Sequence, residues 1–300
     1  MRFADFKGEV RRLAGELSRN ALLSRQDLDA VEAVIAAALG REVCNDPVFF
    51  AAFLRECLRP AHYPVERTKP VAGDDAGAIR FAALLKALSV DAPVVPQPAA
   101  IDLARAADVL LQRTDAYPPA AGFDLGQAAR VQSSLGRKGR LLAAVARFRQ
   151  PAVILELGTA YGMSAGFLSR AAPGAQILTF EPQTFAATVA REQLAALGAD
   201  RVEVIEAPSA SAGETLAARG LTIDLLFHDA VHTGEAYVED FKVCEPHLAR
   251  DAFVVYDDIH WTHPAGHDVR THEGWTEVVR HPRVRAAAEV DGALGVALIS

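Results

Sequence analysis

Residues 153–164 read VILELGTAYGMS, and this stretch decides the fold. Val153–Leu157 is a short, continuous apolar run of the kind that forms a strand buried on both faces. Gly158 and Gly162 then allow the backbone to turn sharply and to approach a ligand closely. A helix over Gly162–Ala171 follows, and its N-terminus offers free N–H groups and the positive end of a dipole. The glycine spacing is G-x-x-x-G, which differs from the G-x-G-x-x-G of dinucleotide sites and disfavours a nicotinamide dehydrogenase.

The same alternation continues downstream. Apolar runs predict strands at Gln176–Phe180, Val202–Ile205, Ile223–Phe227 and Ala252–Tyr256. Helical periodicity fills the gaps at Thr184–Leu197, Ala210–Ala218 and Gly234–Leu248. Val284–Val290 and Ala293–Ile299 flank Asp291-Gly292, a hairpin turn signal. Strand–helix alternation predicts a doubly wound, mostly parallel α/β sheet of seven strands, Rossmann-like, with an antiparallel C-terminal hairpin. Such sheets bind ligands at the carboxyl ends of their strands.

Upstream, the pattern is helical. Helices are expected over Phe3–Leu17, Asp27–Leu39 (stopped by Gly40), Val48–Leu58, Ala76–Leu88, Ala100–Arg113, Leu125–Ser134 and Lys138–Arg149. Asn45-Asp46-Pro47 reads as the N-cap and first position of the third of these. Pro60–Asp75 and the Pro-rich Asp91–Ala99 read as loops. Phe49, Phe50 and Phe53 fall beside Leu54 and Leu58, as a packed helix face would place them. The expected division is an α-helical region over 1–120, acting as a lid, dimer surface or substrate cap, and a catalytic domain over 121–300.

Composition excludes several classes of function. The 300 residues are 51% hydrophobic and 23% charged, with a net charge of −7, so no basic surface invites nucleic acid. Cys44, Cys57 and Cys244 are odd in number and widely spaced, which argues against a disulfide framework or a cysteine zinc site. The N-terminus lacks the apolar core of a signal peptide, and no apolar run reaches 18 residues. A cytoplasmic enzyme acting on a small molecule is expected, without a nucleic acid or membrane partner, with a homodimer as one possible assembly.

The candidate site residues stand where the fold requires them. Glu156 lies inside the first strand, and Glu181 at the end of the second is placed to accept both hydroxyls of a ribose. Two acids suit a ligand that carries a positive charge. From Gly139 onward the chain resembles the metal-dependent class I O-methyltransferases, especially the catechol O-methyltransferase group. The resemblance rests on LLAAV (141–145), VILELGTAYGMSA (153–165), PGAQILTFEP (173–182), VEVIEAPSAS (202–211), DLLFHDAVH (224–232), AFVVYDDIHW (252–261) and VDGALGVAL (290–298). It implies a cofactor, S-adenosylmethionine. Glu156, Gly158, Gly162 and Ser164 would hold its methionine part, with Thr159 and Ala160 in the same loop. Glu181, followed by Pro182, would bind the ribose, and Ser209 would approach the adenine. Asp229 would face both cofactor and metal, and Asp257 and Asp258 would complete a site for a divalent cation, expected to be Mg2+.

The chemistry agrees with that resemblance. A neutral hydroxyl is a poor nucleophile, and a divalent cation lowers its pKa and holds it in line with an electrophilic methyl. Two departures from the family stand out. Its third metal ligand is an Asn, where this chain has Asp258. Its catalytic lysine, three residues after the fourth-strand Asp, is replaced by His232, the side chain best suited to proton transfer near neutral pH. Eight of the nine histidines lie between His228 and His281. His260 and Trp261, next to Asp258, are candidates for touching the acceptor substrate. The alternatives are a metal-independent small-molecule methyltransferase with His232 as base, and a non-catalytic scaffold that binds S-adenosylmethionine.

Overall fold

A computed structural model describes residues 47–58, 61–71, 73–90, 95–116 and 124–300. The helices expected over Phe3–Leu17 and Asp27–Leu39, and the Asn45-Asp46 cap, lie outside these residues. Among the described residues the elements run α1 (Pro47–Leu58), β1 (Val65–Lys69), α2 (Ala76–Val90), α3 (Gln97–Leu111), α4 (Leu125–Gln132), α5 (Arg137–Arg149), β2 (Val153–Leu157), α6 (Met163–Ala171), β3 (Gln176–Phe180), α7 (Thr184–Ala196), β4 (Val202–Ile205), α8 (Ala212–Arg219), β5 (Ile223–His228), α9 (Gly234–Cys244), β6 (Leu248–Tyr256), α10 (Thr271–Arg280), β7 (Val284–Val290) and β8 (Leu294–Ile299). Short 3₁₀ turns at Ser209–Ser211 and Glu245–His247 lead into α8 and β6.

The chain forms two compact units. Among the described residues, one comprises 47–58, 95–116 and 124–140, the other 61–71, 73–90 and 141–300. In the first, α1 buries Phe50, Phe53 and Leu54, the face its sequence predicts, and α3 buries Leu103, Ala107 and Leu110. Asp124 opens α4 with a capping box: its carboxylate accepts from Gln127 N at 2.8 Å, and Gln127 Oε1 accepts from Asp124 N at 3.0 Å.

The second unit is built on the sheet, whose strand order is β1-β7-β8-β6-β5-β2-β3-β4. Strands β2 to β6 pair in parallel, and β1, β7 and β8 are antiparallel to their neighbours. Apolar side chains fill both faces, as expected for strands without polar alternation. One face packs Phe81, Leu84 and Leu88 of α2 with Leu142 and Val145 of α5. The other packs Tyr237 and Phe241 of α9 with Trp275 and Val278 of α10. The chain winds outward from β2 to β4, then returns to place β5 on the other side of β2. The order reverses there, and a crevice opens between the carboxyl ends of those two strands.

Two elements depart from expectation. The sheet has an eighth strand among the described residues, because Val65–Lys69, expected as loop, pairs along the edge with β7. Its sequence VERTK is polar and largely exposed, which an edge strand tolerates and which discourages further pairing. The His-rich stretch between β6 and β7, for which no helix was expected, contains α10, whose buried residues Thr271, Gly274, Trp275 and Val278 recur at helical spacing. Gly274 is required: a Cβ there would overlap the backbone of Gly234, where α9 and α10 cross in close contact. Cys57 and Cys244 are buried thiols without a disulfide. Among the described residues no helix is long and apolar enough to cross a membrane.

Candidate active site

Successive strand ends are stitched together at the crevice. Asp229 N donates to Leu157 O at 2.8 Å and Asp257 N donates to His228 O at 2.9 Å, so the residues just after β2, β5 and β6 converge. Gly158 has φ +95°, and a Cβ there would overlap the carbonyl of Asp229. Only glycine lets the two strand ends meet this closely. Ala160 also adopts a left-handed backbone, at φ +43°, and Gly162 caps α6 at φ +82°. The loop thus curls back over the end of β2 before the helix begins.

Glu156 is fully buried beneath this loop. Thr179, directly opposite it on β3, donates its hydroxyl to Glu156 Oε2. Ser164 in the first turn of α6 is also hydrogen-bonded to the carboxylate, while Oε1 has no hydrogen-bond partner. Burial pushes the carboxyl up to about 8, opposed by the Thr179 and Ser164 bonds and reinforced by the charges of Asp229 and Glu181. An orphaned oxygen on a desolvated acid is costly by itself and is satisfied by a cationic hydrogen-bond donor.

Glu181 sits across the loop. Its oxygens accept from Ala160 N at 2.9 Å and Gln183 N at 3.0 Å, which fixes the carboxylate and leaves lone pairs for a second ligand. Burial raises its pKa, against the two backbone donors. Thr159 is buried, its hydroxyl 2.5 Å from that of Thr179. Pro182 is exposed, and Ser209 begins the 3₁₀ turn after β4, partly exposed.

The second cluster lies beyond β5 and β6. One donor atom from each of Asp229, His232 and Asp257 lies within 4.8 Å of the others. His232 Nε2 is 3.2 Å from Asp229 Oδ1 and 3.7 Å from Asp258 Oδ2. Three carboxylates therefore gather near one imidazole, and Asp229 and Asp258 both approach its Nε2. The Tyr237 hydroxyl donates to the Asp257 carbonyl. That hydroxyl is held well above its usual range, first by burial and then by the charges of Asp257, Asp258 and Asp229. The donors fit a divalent cation, since such negative charge is otherwise self-repelling; oxygen donors suit Mg2+, and the imidazole extends the choice to softer ions.

Trp261 lies beside this cluster, its ring 5.6 Å from that of His232. His260, expected to touch substrate, turns elsewhere: its Nε2 is 2.7 Å from Glu289 Oε2 on β7. Sequence reasoning missed Thr179 and Tyr237, which hold Glu156 and Asp257 in place. Thr179 is visible only once β2 and β3 are laid in register.

Comparison with known proteins agrees with this geometry. Residues 155–259 match the family described as a methyltransferase domain. The chain is 38% identical over 112 residues to a catechol O-methyltransferase of Mycobacterium tuberculosis, covering 37% of this chain and 50% of that protein. It spans about half the length of the curated relatives it matches. The fold is shared with the methyltransferase PaMTH1 of Podospora anserina, solved with S-adenosylhomocysteine (SAH) bound, at a TM-score of 0.52 and 20% identity, over 77% of this chain and 98% of that one. The region resembles the methyltransferase domain of O-methyltransferases.

Proposed function

We propose that this chain is an S-adenosylmethionine-dependent O-methyltransferase that methylates a hydroxyl of a small molecule, with a catechol or another vicinal-oxygen compound as acceptor. The observation that carries the reading is Glu156: a buried acid with an orphaned oxygen, beneath a glycine loop, at the point where the strand order reverses. Fully buried acid is expensive unless a cation meets it.

When bound, S-adenosylmethionine supplies an electrophilic methyl group on a sulfonium, and a divalent cation supplies charge that acidifies the acceptor hydroxyl. Glu156 would accept hydrogen bonds from the ammonium of the methionine part, and the N–H groups at the start of α6 would receive its carboxylate. Glu181 would accept hydrogen bonds from both ribose hydroxyls on the lone pairs its backbone donors leave open. Asp229, His232 and Asp257 would hold the cation, with Asp258 adjoining. Trp261 offers a flat apolar face for an aromatic acceptor. Positioning of acceptor oxygen against methyl is worth on the order of 7–11 kcal/mol in such reactions.

A second reading is favoured by the 3.2 Å contact between His232 and Asp229. Asp229 would orient the imidazole, and His232 would remove the acceptor proton as general base without a metal. Incubation with methyl-labelled S-adenosylmethionine and a panel of catechols, with Mg2+ or with EDTA, tests both. Methylated catechol formed only with Mg2+ supports the metal-assisted reading, and turnover that survives EDTA supports the His232 base. Absence of methylated product from any hydroxyl acceptor would contradict the proposal.

A further inference from the structure

A second group of metal-binding side chains lies outside the site just described. His260 follows β6, His272 stands in the first turn of α10, and Glu289 is near the end of β7. Each oxygen of the Glu289 carboxylate faces a different imidazole: Oε2 is 2.7 Å from His260 Nε2, and Oε1 is 3.2 Å from His272 Nε2. The two rings stack, with centroids 4.4 Å apart and planes at 19°. One donor atom from each residue lies within 4.8 Å of the others. Both histidines are about half exposed, while Glu289 is 11% exposed, so the carboxylate is anchored and the imidazoles close over it.

A further acid stands on the neighbouring edge strand. Glu66 on β1 is the direct cross-strand partner of Glu289, so both side chains leave the same face of the sheet. Like charges at directly opposed positions repel, and no cationic side chain stands at either position to offset them. Two imidazoles and a carboxylate with donor atoms within 4.8 Å of one another, and a second acid at the cross-strand position, are a ligand set suited to a divalent transition ion. Zinc bonds of about 2.0–2.2 Å place tetrahedral ligands about 3.3 Å apart, so the present spacing would need to open by less than about 1 Å.

We propose that His260, His272 and Glu289, with Glu66 beside them, form a second metal site for a zinc-class ion. Imidazole nitrogen selects zinc, nickel or copper over magnesium, which takes oxygen ligands. His260 and His272 bracket the loop that carries Trp261. A bound ion therefore fastens that loop to β7 and α10, next to the acidic cluster but separate from it.

Zinc titration of tag-free full chain in excess Mg2+, followed by calorimetry, tests the site. The wild type is expected to take up one zinc equivalent that His272→Ala loses and Glu289→Gln weakens at least about tenfold, while Asp229→Asn retains it. Cobalt substitution gives a second readout: the visible bands of the wild type should change in His272→Ala and persist in Asp229→Asn. No zinc uptake by the wild type, uptake unchanged in His272→Ala, or uptake lost in Asp229→Asn instead, would overturn the proposal.

Discussion

Replacing Glu156 by Gln should stabilise the ligand-free protein in alkaline solution while destroying its affinity for the cofactor. The carboxyl is fully buried, and burial raises its pKa from 4.5 to about 8. In the unfolded chain it ionises at its ordinary value. Between those two values the folded state holds a proton that the unfolded state has released, so stability falls as pH rises and levels off above about 8. At about 1.36 kcal/mol per pH unit, flattening near the two pKa values, the loss from about pH 5 to about pH 8 is roughly 3–4 kcal/mol. Gln keeps an oxygen to accept from Thr179 but does not ionise, so the variant lacks this slope. Urea unfolding followed by tryptophan fluorescence measures it, since both tryptophans, Trp261 and Trp275, lie in the sheet unit. The variant should gain roughly 3–4 kcal/mol on the wild type across that range. Parallel pH profiles for the two proteins would refute the reasoning, because Glu156 would then ionise in place at no cost.

Other outcomes follow from the same geometry. His232→Ala should lower methyl transfer by about 10²–10⁴-fold if the imidazole acts as base, with SAH affinity retained in calorimetry. Gly158→Ala forces a side chain into a left-handed backbone and onto the Asp229 carbonyl; thermal unfolding should show a loss of at least about 2 kcal/mol, together with loss of cofactor binding. Tyr237→Phe removes the donor to the Asp257 carbonyl and should cost about 1–3 kcal/mol in urea unfolding, by leaving a buried carbonyl short of a partner.

The loop and strand ends that form the first half of the candidate site were legible because the signals there are local. An apolar run, a glycine turn and a helix start follow one another within 153–164, and Glu181 and Asp229 stand just past their strands, where a parallel sheet gathers ligands. Elements read through contact rather than composition were hidden. Strand β1 carries three consecutive exposed residues, and only the edge of β7 makes it a strand. Helix α10 presents histidines and charges to solvent, so its buried Thr271, Gly274, Trp275 and Val278 are masked in the sequence. His260 shows the limit of adjacency. It lies two residues after Asp258, yet its side chain answers to Glu289, a partner set by how β7 and α10 pack. His232 is the reverse case, three residues from Asp229 and folded back against it.

Calorimetric titration with SAH, with and without Mg2+, on wild type and Glu181→Ala tests the central claim most directly. Glu181 is held by Ala160 and Gln183, and charge-assisted bonds to ribose hydroxyls are worth about 1.5–3 kcal/mol, so the variant should bind about 10–100-fold more weakly. Saturable binding to the wild type is expected, weakened to that extent in Glu181→Ala. No binding to the wild type under either condition, or equal binding to both proteins, would contradict it.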